Sequence, residues 1–372
     1  MFLHRRHLLI GSAAASLLPS LVRADEARVP FDYADGKIRI PVRVNGIEIS
    51  TVIDSGAAYN AMDAKLARDF KIPSNSRVDL RTIGGAAHGP ISDEIDLTVA
   101  GKAVPRSVFA VLDLSKVAAP GGQPVDLILG APLFRRFVVD FDFVGRTMAL
   151  YSSADYPLPD PGQALALAAA DKLMTVQVYL PGGSVQATVD TGSDAPLILS
   201  PAAAARLNIL KHGPVSTTLM AGIGGSSVGQ ITTVPQVGFG GQNFDNVPVQ
   251  VAARDFGTEA NIGCGLLSRF HTAADFDGGW LIVSPGGLET PFKRNLTGIS
   301  AANEDGGLRV RHVARASPAQ AAGFHEGDLI VAIDGAPAVA ANARLADSPA
   351  GRTVSFTMKG GRVRSLTLAA YY

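Results

Sequence analysis

Apolar and polar positions alternate through Ile38 to Val44, pause at Asn45-Gly46 and resume through Ile47 to Ile53. A period of two on either side of an Asn-Gly pair predicts a β-hairpin, because that dipeptide readily takes the positive φ angles of a tight turn. Thr175 to Leu180, the turn Pro181-Gly182-Gly183 and Ser184 to Val189 predict a second hairpin. Each hairpin runs into an acid, Asp54 or Asp190, and each acid is followed by a helix-like segment, Ala61 to Phe70 or Ala202 to Leu207. Further on lie two glycine-rich hairpins, Ile83 to Gly89 around Gly84 and Gly85, and Gly222 to Gly229 around Gly224 and Gly225. Short strands with regularly spaced turn signals predict an all-β barrel or sandwich. Asp155 to Pro161, rich in Pro and Asp, reads as the connection between two such units.

The two units also match residue by residue. Setting Gly130 on Gly263 lays Leu133 on Leu266, Arg136 on Arg269, Phe137 on Phe270, Asp142-Phe143 on Asp275-Phe276 and Gly145 on Gly278, without a gap. Upstream, Val52-Ile53-Asp54-Ser55-Gly56 matches Thr188-Val189-Asp190-Thr191-Gly192. The acid precedes its glycine by nearly the same distance in both copies. Two motifs recurring in one order at one separation indicate an internal duplication over residues 30 to 285.

Composition narrows the class. A chain of 372 residues exceeds what one compact core accommodates, and 40 Gly with 23 Pro and few aromatics favour strands and turns. Lys plus Arg and Asp plus Glu both number 33, so no basic surface argues for nucleic acid. The N-terminal stretch from Met1 to Ala24 carries Arg5-Arg6, an apolar run from Leu8 to Leu18, and Val22-Arg23-Ala24, the small-residue pattern of a cleavage site. His4-Arg5-Arg6-His7-Leu8-Leu9 resembles a twin-arginine export signal; a general secretory signal that happens to contain two arginines is the other reading. Either reading sends the protein out of the cytoplasm, to the periplasm. No other apolar stretch reaches membrane length, so the mature chain is expected to have no membrane span.

Several candidate chemistries are set aside. Cys264, the one cysteine, sits in an apolar-glycine run that predicts a small buried residue rather than a nucleophile. His88, His212, His271, His312 and His325 lack metal-ligand spacing and are expected at the surface or in loops. Gly225-Ser226-Ser227-Val228-Gly229 fits the G-x-S-x-G pattern, but a strand-like run follows the serine where that motif needs a helix. No metal and no cofactor is expected.

Asp54-Ser55-Gly56 and Asp190-Thr191-Gly192 remain. Either tripeptide alone is weak evidence, since Asp-Ser/Thr-Gly often forms an ordinary turn. As a pair, each at the end of a predicted buried strand and each followed by an apolar-Gly element, they resemble the aspartic peptidases. The resemblance is nearer to retropepsin-like bacterial members than to pepsin. It implies a mainly β fold of two acid-protease barrel lobes related by a pseudo-two-fold, with Asp54 and Asp190 as the catalytic pair. Ser55, Gly56, Thr191 and Gly192 would support the catalytic loops, and the hairpins at Gly84-Gly85 and Gly224-Gly225 would be flaps over substrate. Ile128-Leu129-Gly130 fits the family's apolar-Gly element; Ile262-Gly263, preceded by Asn261, departs from it. Two carboxylates a few ångströms apart share one proton, and so supply a base and an acid together. With both halves in one chain, a monomer suffices. A duplicated β-fold with two structural turns, or a fold that no longer cleaves and serves as a peptide-binding adaptor, are the other readings.

From about Pro291 the pattern changes. Ser317-Pro318-Ala319-Gln320-Ala321-Ala322-Gly323 and Gly327-Asp328-Leu329-Ile330-Val331-Ala332-Ile333-Asp334-Gly335 resemble the PDZ domains of bacterial envelope proteases. The resemblance implies an α+β domain that binds extended peptide ends by strand addition. Ala338 to Ala346 would be its groove helix, and Leu296-Thr297-Gly298-Ile299 stands where a carboxylate-binding loop belongs. A packing role on the lobes is the alternative. The expected division is residues 1–24 as signal, 25–160 and 161–288 as the two lobes, and 289–372 as the PDZ-like domain. The expected partners are a polypeptide substrate and a peptide end.

Overall fold

The computed structural model describes residues 27–33, 36–83, 85–115, 117, 124–211 and 213–372, so the expected signal segment lies outside the described residues. The protein is mainly β: two duplicated lobes are followed by a smaller C-terminal domain. Among the described residues the strands form a nine-stranded sheet in the first lobe, an eight-stranded sheet in the second, a six-stranded sheet shared by both, and the sheet of the C-terminal domain.

The alternating segments become hairpins, Arg39–Val44 with Ile47–Ile53 and Leu173–Leu180 with Gly183–Asp190. Their inward positions, such as Ile40, Val42 and Val44, are almost fully buried. Asn45 and Gly46 both take positive φ, as the turn requires. The segment after the first acid differs from expectation. Asn60–Asp63 is a strand, and the helix spans only Ala64–Asp69. Asn60–Asp63 is held between Phe109–Leu112, running parallel, and Leu127–Leu129, running antiparallel, and that pairing overrides its helical propensity. Asp63 then starts the helix, its side chain accepting a hydrogen bond from the Lys65 N–H at 2.8 Å. Such a cap satisfies one of the donors that the first helical turn leaves without a partner. In the second copy the helix is Pro201–Arg206, capped by Ser200.

The shared sheet carries the pseudo-two-fold. Val138–Asp142 pairs antiparallel with His271–Asp275, placing Asp140 opposite Ala273. The alignment that sets Gly130 on Gly263 also sets Asp140 on Ala273, so each strand pairs with its own repeat image. The recurring Asp-Phe-x-Gly is the turn out of these strands. Asp142 Oδ1 accepts from Gly145 N at 2.7 Å, and Asp275 Oδ1 from Gly278 N at 2.8 Å. A Cβ on either glycine would lie within 2.5 Å of the aspartate oxygen.

Asp140 is buried on this axis with three partners: Arg28 at 2.7 Å, His271 Nε2 at 2.9 Å and the Tyr156 hydroxyl at 2.8 Å. Burial alone would push its carboxyl up, but the bond to and charge of His271, together with Arg28, hold it below the usual carboxylate range. A depressed folded-state value means the cluster stabilises the protein above the unfolded carboxylate range, at about pH 4. That contribution is lost as pH falls through the folded value. Asp140→Asn is therefore expected to lower stability at neutral pH by about 3 kcal/mol, as removal of one member of a buried ion pair does. The variant should also lose less stability on acidification than the parent, which thermal melts at acid and neutral pH will read.

The C-terminal domain has its own core, in which Phe324 and Phe356 meet edge to face at 5.3 Å. Ser317 caps the short helix Pro318–Ala321, and Ala338–Ala346 is helical as expected. Among the described residues the sheet order leaves the strand Ile299–Glu304 at an edge, paired with Gly307–Val313 alone.

Candidate active site

Two strands whose C-terminal ends are buried deliver the acids. Ile47–Ile53 and Gly183–Asp190 each run parallel to the short strand of the apolar-Gly element, Leu127–Leu129 and Ala260–Gly263 respectively. Asp54 N donates to Leu129 O at 2.9 Å, fixing the end of the first strand. The apolar-Gly elements press on the loops that follow the acids. A Cβ on Gly130 would sit 2.4 Å from Ala57 O, and one on Gly263 would sit 2.4 Å from Ala195 O. Only glycine permits that approach.

The residues after the acids lock the lobes together reciprocally. Ser55 Oγ donates to Val189 O at 2.7 Å and accepts from Thr191 N at 3.0 Å. Thr191 Oγ1 donates to Ile53 O at 2.9 Å and accepts from Ser55 N at 3.0 Å. Both side chains are fully buried, so the hydroxyl and backbone N–H groups of the two residues find their partners across the lobe boundary. Gly56 N and Gly192 N each donate to the Oδ1 of the aspartate two residues before, at 3.0 and 2.9 Å.

This grip brings Asp54 and Asp190 together. A Cβ on Gly56 would lie 2.4 Å from Asp190 Cγ, and one on Gly192 would lie 2.3 Å from Asp54 Cγ. Each carboxylate is thus seated on the glycine of the opposite copy. Burial, the neighbouring charge of Asp190 and a hydrogen bond with it hold the Asp54 carboxyl well above the ordinary range; Lys37 and the Gly56 N–H oppose this. Asp54 therefore holds its proton more tightly than an isolated carboxylate does.

The dyad floors a cavity of about 270 Å³ walled mainly by apolar side chains, among them Tyr59, Leu80, Leu219 and Phe256. Two hairpins roof it, Ser74–Thr82 with Gly85–Ser92 and Val215–Gly222 with Gly225–Phe239. Gly84 lies outside the described residues. Gly85 and Gly224 meet: a Cβ on Gly85 would lie 2.7 Å from Gly224 O, and Gly224 N donates to Thr82 Oγ1 at 3.2 Å. Gly225, with φ of 112°, turns the second tip. The isoleucines at the tips cross over. Ile83 packs on the second lobe's Ala195, Ile198 and Met220, whereas Ile223 packs on the first lobe's apolar cluster around Val52 and Ile128.

Among the cavity residues that reasoning from sequence did not assign to the site are Lys37, Ile83, Ile223 and Asn261. Lys37 had no local signal, because the loop before the first strand reaches the site only through the fold. The two isoleucines stood beside the flagged glycines. Asn261 was visible as the departure from the apolar-Gly pattern. Two histidines correct the expectation of surface or loop positions. His271 is a half-buried strand residue on Asp140, and His312 is buried in the strand Gly307–Val313. His271 finds a partner for Nε2, and His312 finds one for each ring nitrogen. His312 Nε2 meets Thr217 Oγ1 at 2.9 Å and its Nδ1 faces Glu326 at 3.2 Å.

Thr217 lies on the strand Val215–Gly222, so the C-terminal domain is docked on the outer part of the second roofing hairpin. Arg315 N also donates to Thr217 Oγ1 at 3.0 Å, and Arg294 reaches Thr233 Oγ1 and Asn246 O, each at 2.8 Å. In the loop Leu296 to Ile299, the amides of Thr297 and Gly298 already donate to Asn295 Oδ1, at 3.1 and 2.9 Å.

These features define an acid-protease fold with its paired aspartate loops. An aspartyl protease family model matches residues 40–133 and 176–267, half of the chain, and the protein belongs to that family. A PDZ domain model matches residues 296–368. Solved structures similar to it include a retropepsin-like aspartic protease from Rickettsia conorii, 23% identical with a TM-score of 0.27, the match covering 33% of this chain and 90% of that one. Basic 7S globulin from soybean is 10% identical with a TM-score of 0.43, the match covering 70% of this chain and 95% of that one. No curated protein matches the sequence.

Proposed function

We propose that the protein is an aspartic endopeptidase that hydrolyses peptide bonds of extended or unfolded polypeptide, with Asp54 and Asp190 as its catalytic pair. The observation that carries this reading is the seating of each carboxylate on the opposite copy's glycine, which sets the two acids side by side beneath a roofed cavity. One carboxylate takes a proton from a water molecule while the water oxygen attacks the peptide carbon. The protonated carboxyl passes its proton to the carbonyl oxygen, giving a neutral gem-diol. Breaking the C–N bond then returns one hydroxyl proton to a carboxylate and delivers the other carboxyl's proton to the leaving amine. Ser55 and Thr191 hold the geometry through their reciprocal bonds, and Gly56 and Gly192 each give an N–H to the neighbouring carboxylate. The flap tips must part to admit a chain and close to exclude water.

In this reading the protein acts outside the cytoplasm as a monomer, after loss of residues 1–24, with lobes at 25–160 and 161–288 and the PDZ domain at 289–372. The PDZ domain offers the edge strand Ile299–Glu304 to an extended peptide. The test is cleavage of an unfolded protein such as reduced casein from acid to neutral pH, with and without a statine inhibitor that mimics the gem-diol. Cleavage abolished by the statine supports the reading. Absence of cleavage across the range, or cleavage indifferent to the statine, overturns it.

A further inference from the structure

The repeat alignment that sets Gly130 on Gly263 sets Ile128 on Asn261. Both side chains are buried, at 1% and 5% exposure, on the short strands beside the two acids. An aliphatic side chain is what this position requires for packing, and the first copy has one. The second copy instead holds a primary amide. Its Nδ2 donates to Asp190 Oδ2, while its Oδ1 is buried with no hydrogen-bond partner among the described residues. An amide left half-satisfied in a core is costly. The one bond it does make goes to the acid.

That bond makes the dyad unequal. Asp190 accepts the Gly192 N–H on one oxygen and the Asn261 N–H on the other. Asp54 accepts the Gly56 N–H on one oxygen, and Ile128 offers its side nothing comparable. Each N–H donated to a carboxylate favours its charged form. The other ionisable groups around the pair are Lys37, Asp194, Tyr33 and Cys264. Lys37 favours charge on Asp54, yet its amine donates to Gly192 O at 3.2 Å and acts on Asp54 through space. The elevated Asp54 carboxyl agrees with a proton resting there.

We infer that Asn261 is a positioning residue that breaks the symmetry of the dyad, holding Asp190 as the carboxylate that takes the water proton and leaving the shared proton on Asp54. The inference rests on the dyad of the preceding section and assigns roles within it. Asn261→Leu keeps the side-chain shape and removes the donor. Asn261→Ser, whose hydroxyl stops short of Asp190, serves if the leucine variant does not fold.

Two measurements test it. In the pH profile of kcat/KM, the acid limb should move up by about one pH unit in the variant while the alkaline limb stays within a few tenths, as loss of one hydrogen bond to an ionised group predicts. Independently of activity, aspartate ¹³Cγ resonances are followed through a pH titration of the full chain and identified by their loss in Asp54→Asn and Asp190→Asn. The lower of the pair's two steps should move up by about one unit in the Asn261 variant. A uniform loss of rate with both limbs and both midpoints unmoved would reduce Asn261 to packing and overturn the inference. An Asp54 signal titrating first would overturn it too, because the amide would then be accepting from a protonated Asp190. If the wild type is inactive but the carboxyl titration behaves as stated, the peptidase reading fails and the proton assignment stands.

Discussion

Asp54→Asn and Asp190→Asn are each expected to lower kcat by about 10³-fold or more while leaving the fold intact. Neither substitution changes side-chain shape, and both retain an oxygen able to accept the Gly56 or Gly192 N–H. What each removes, in the proposed mechanism, is half of a proton relay. An amide can neither take the proton of the attacking water nor return one to the carbonyl oxygen. Because the acids act as a unit, the double variant should be little slower than either single one. Melting temperature supplies the control. Two acidic groups crowded at a buried site oppose one another, so neutralising one should leave stability unchanged or raise it. Near-normal cleavage by either single variant would remove that acid from the mechanism.

The features legible in the sequence were those set by local chemistry or by repetition. Alternation around Asn45-Gly46 marked the first hairpin, and Asp-Ser/Thr-Gly marked both loops. The gapless match from Gly130 onward and from Gly263 onward foretold strands that pair with their own images across the pseudo-two-fold. Ser317-Pro318 marked the capped helix of the PDZ domain. Illegible features depended on partners distant in sequence. Nothing local tells Asn60–Asp63 to be a strand, since its partners lie at Phe109–Leu112 and Leu127–Leu129. Nothing near His312 points to Thr217, and nothing near Asp140 points to Arg28, because docking and the shared sheet create those contacts. Asn261 lies between these cases. The broken pattern was readable, but the direction of its amide was not.

The cross-seated glycines give the second large effect. Gly192→Ala is expected to cut kcat by about 10²-fold or more, with a much smaller change in KM. The added methyl carbon would stand 2.3 Å from Asp54 Cγ and 2.4 Å from its Oδ2, less than any non-bonded contact allows. Asp54 cannot swing aside freely, because Gly56 N holds its Oδ1 and its backbone is tied to Leu129. The loops must therefore separate, and the bonds Ser55 Oγ to Val189 O and Thr191 Oγ1 to Ile53 O stretch with them. A displacement of about 1 Å at the reacting groups is enough for a loss of this size. Gly56→Ala should behave alike, since its methyl would meet Asp190 Cγ at 2.4 Å. Gly213→Ala is the control: its nearest neighbour lies 3.5 Å away, an ordinary contact, and both rate and melting temperature should stay at the parent's values. Steady-state kinetics on one peptide substrate, with melts run in parallel, decides the matter. Parent-like kcat in Gly192→Ala would mean that the two loops need not touch for catalysis, and the shared-proton geometry would have to be abandoned.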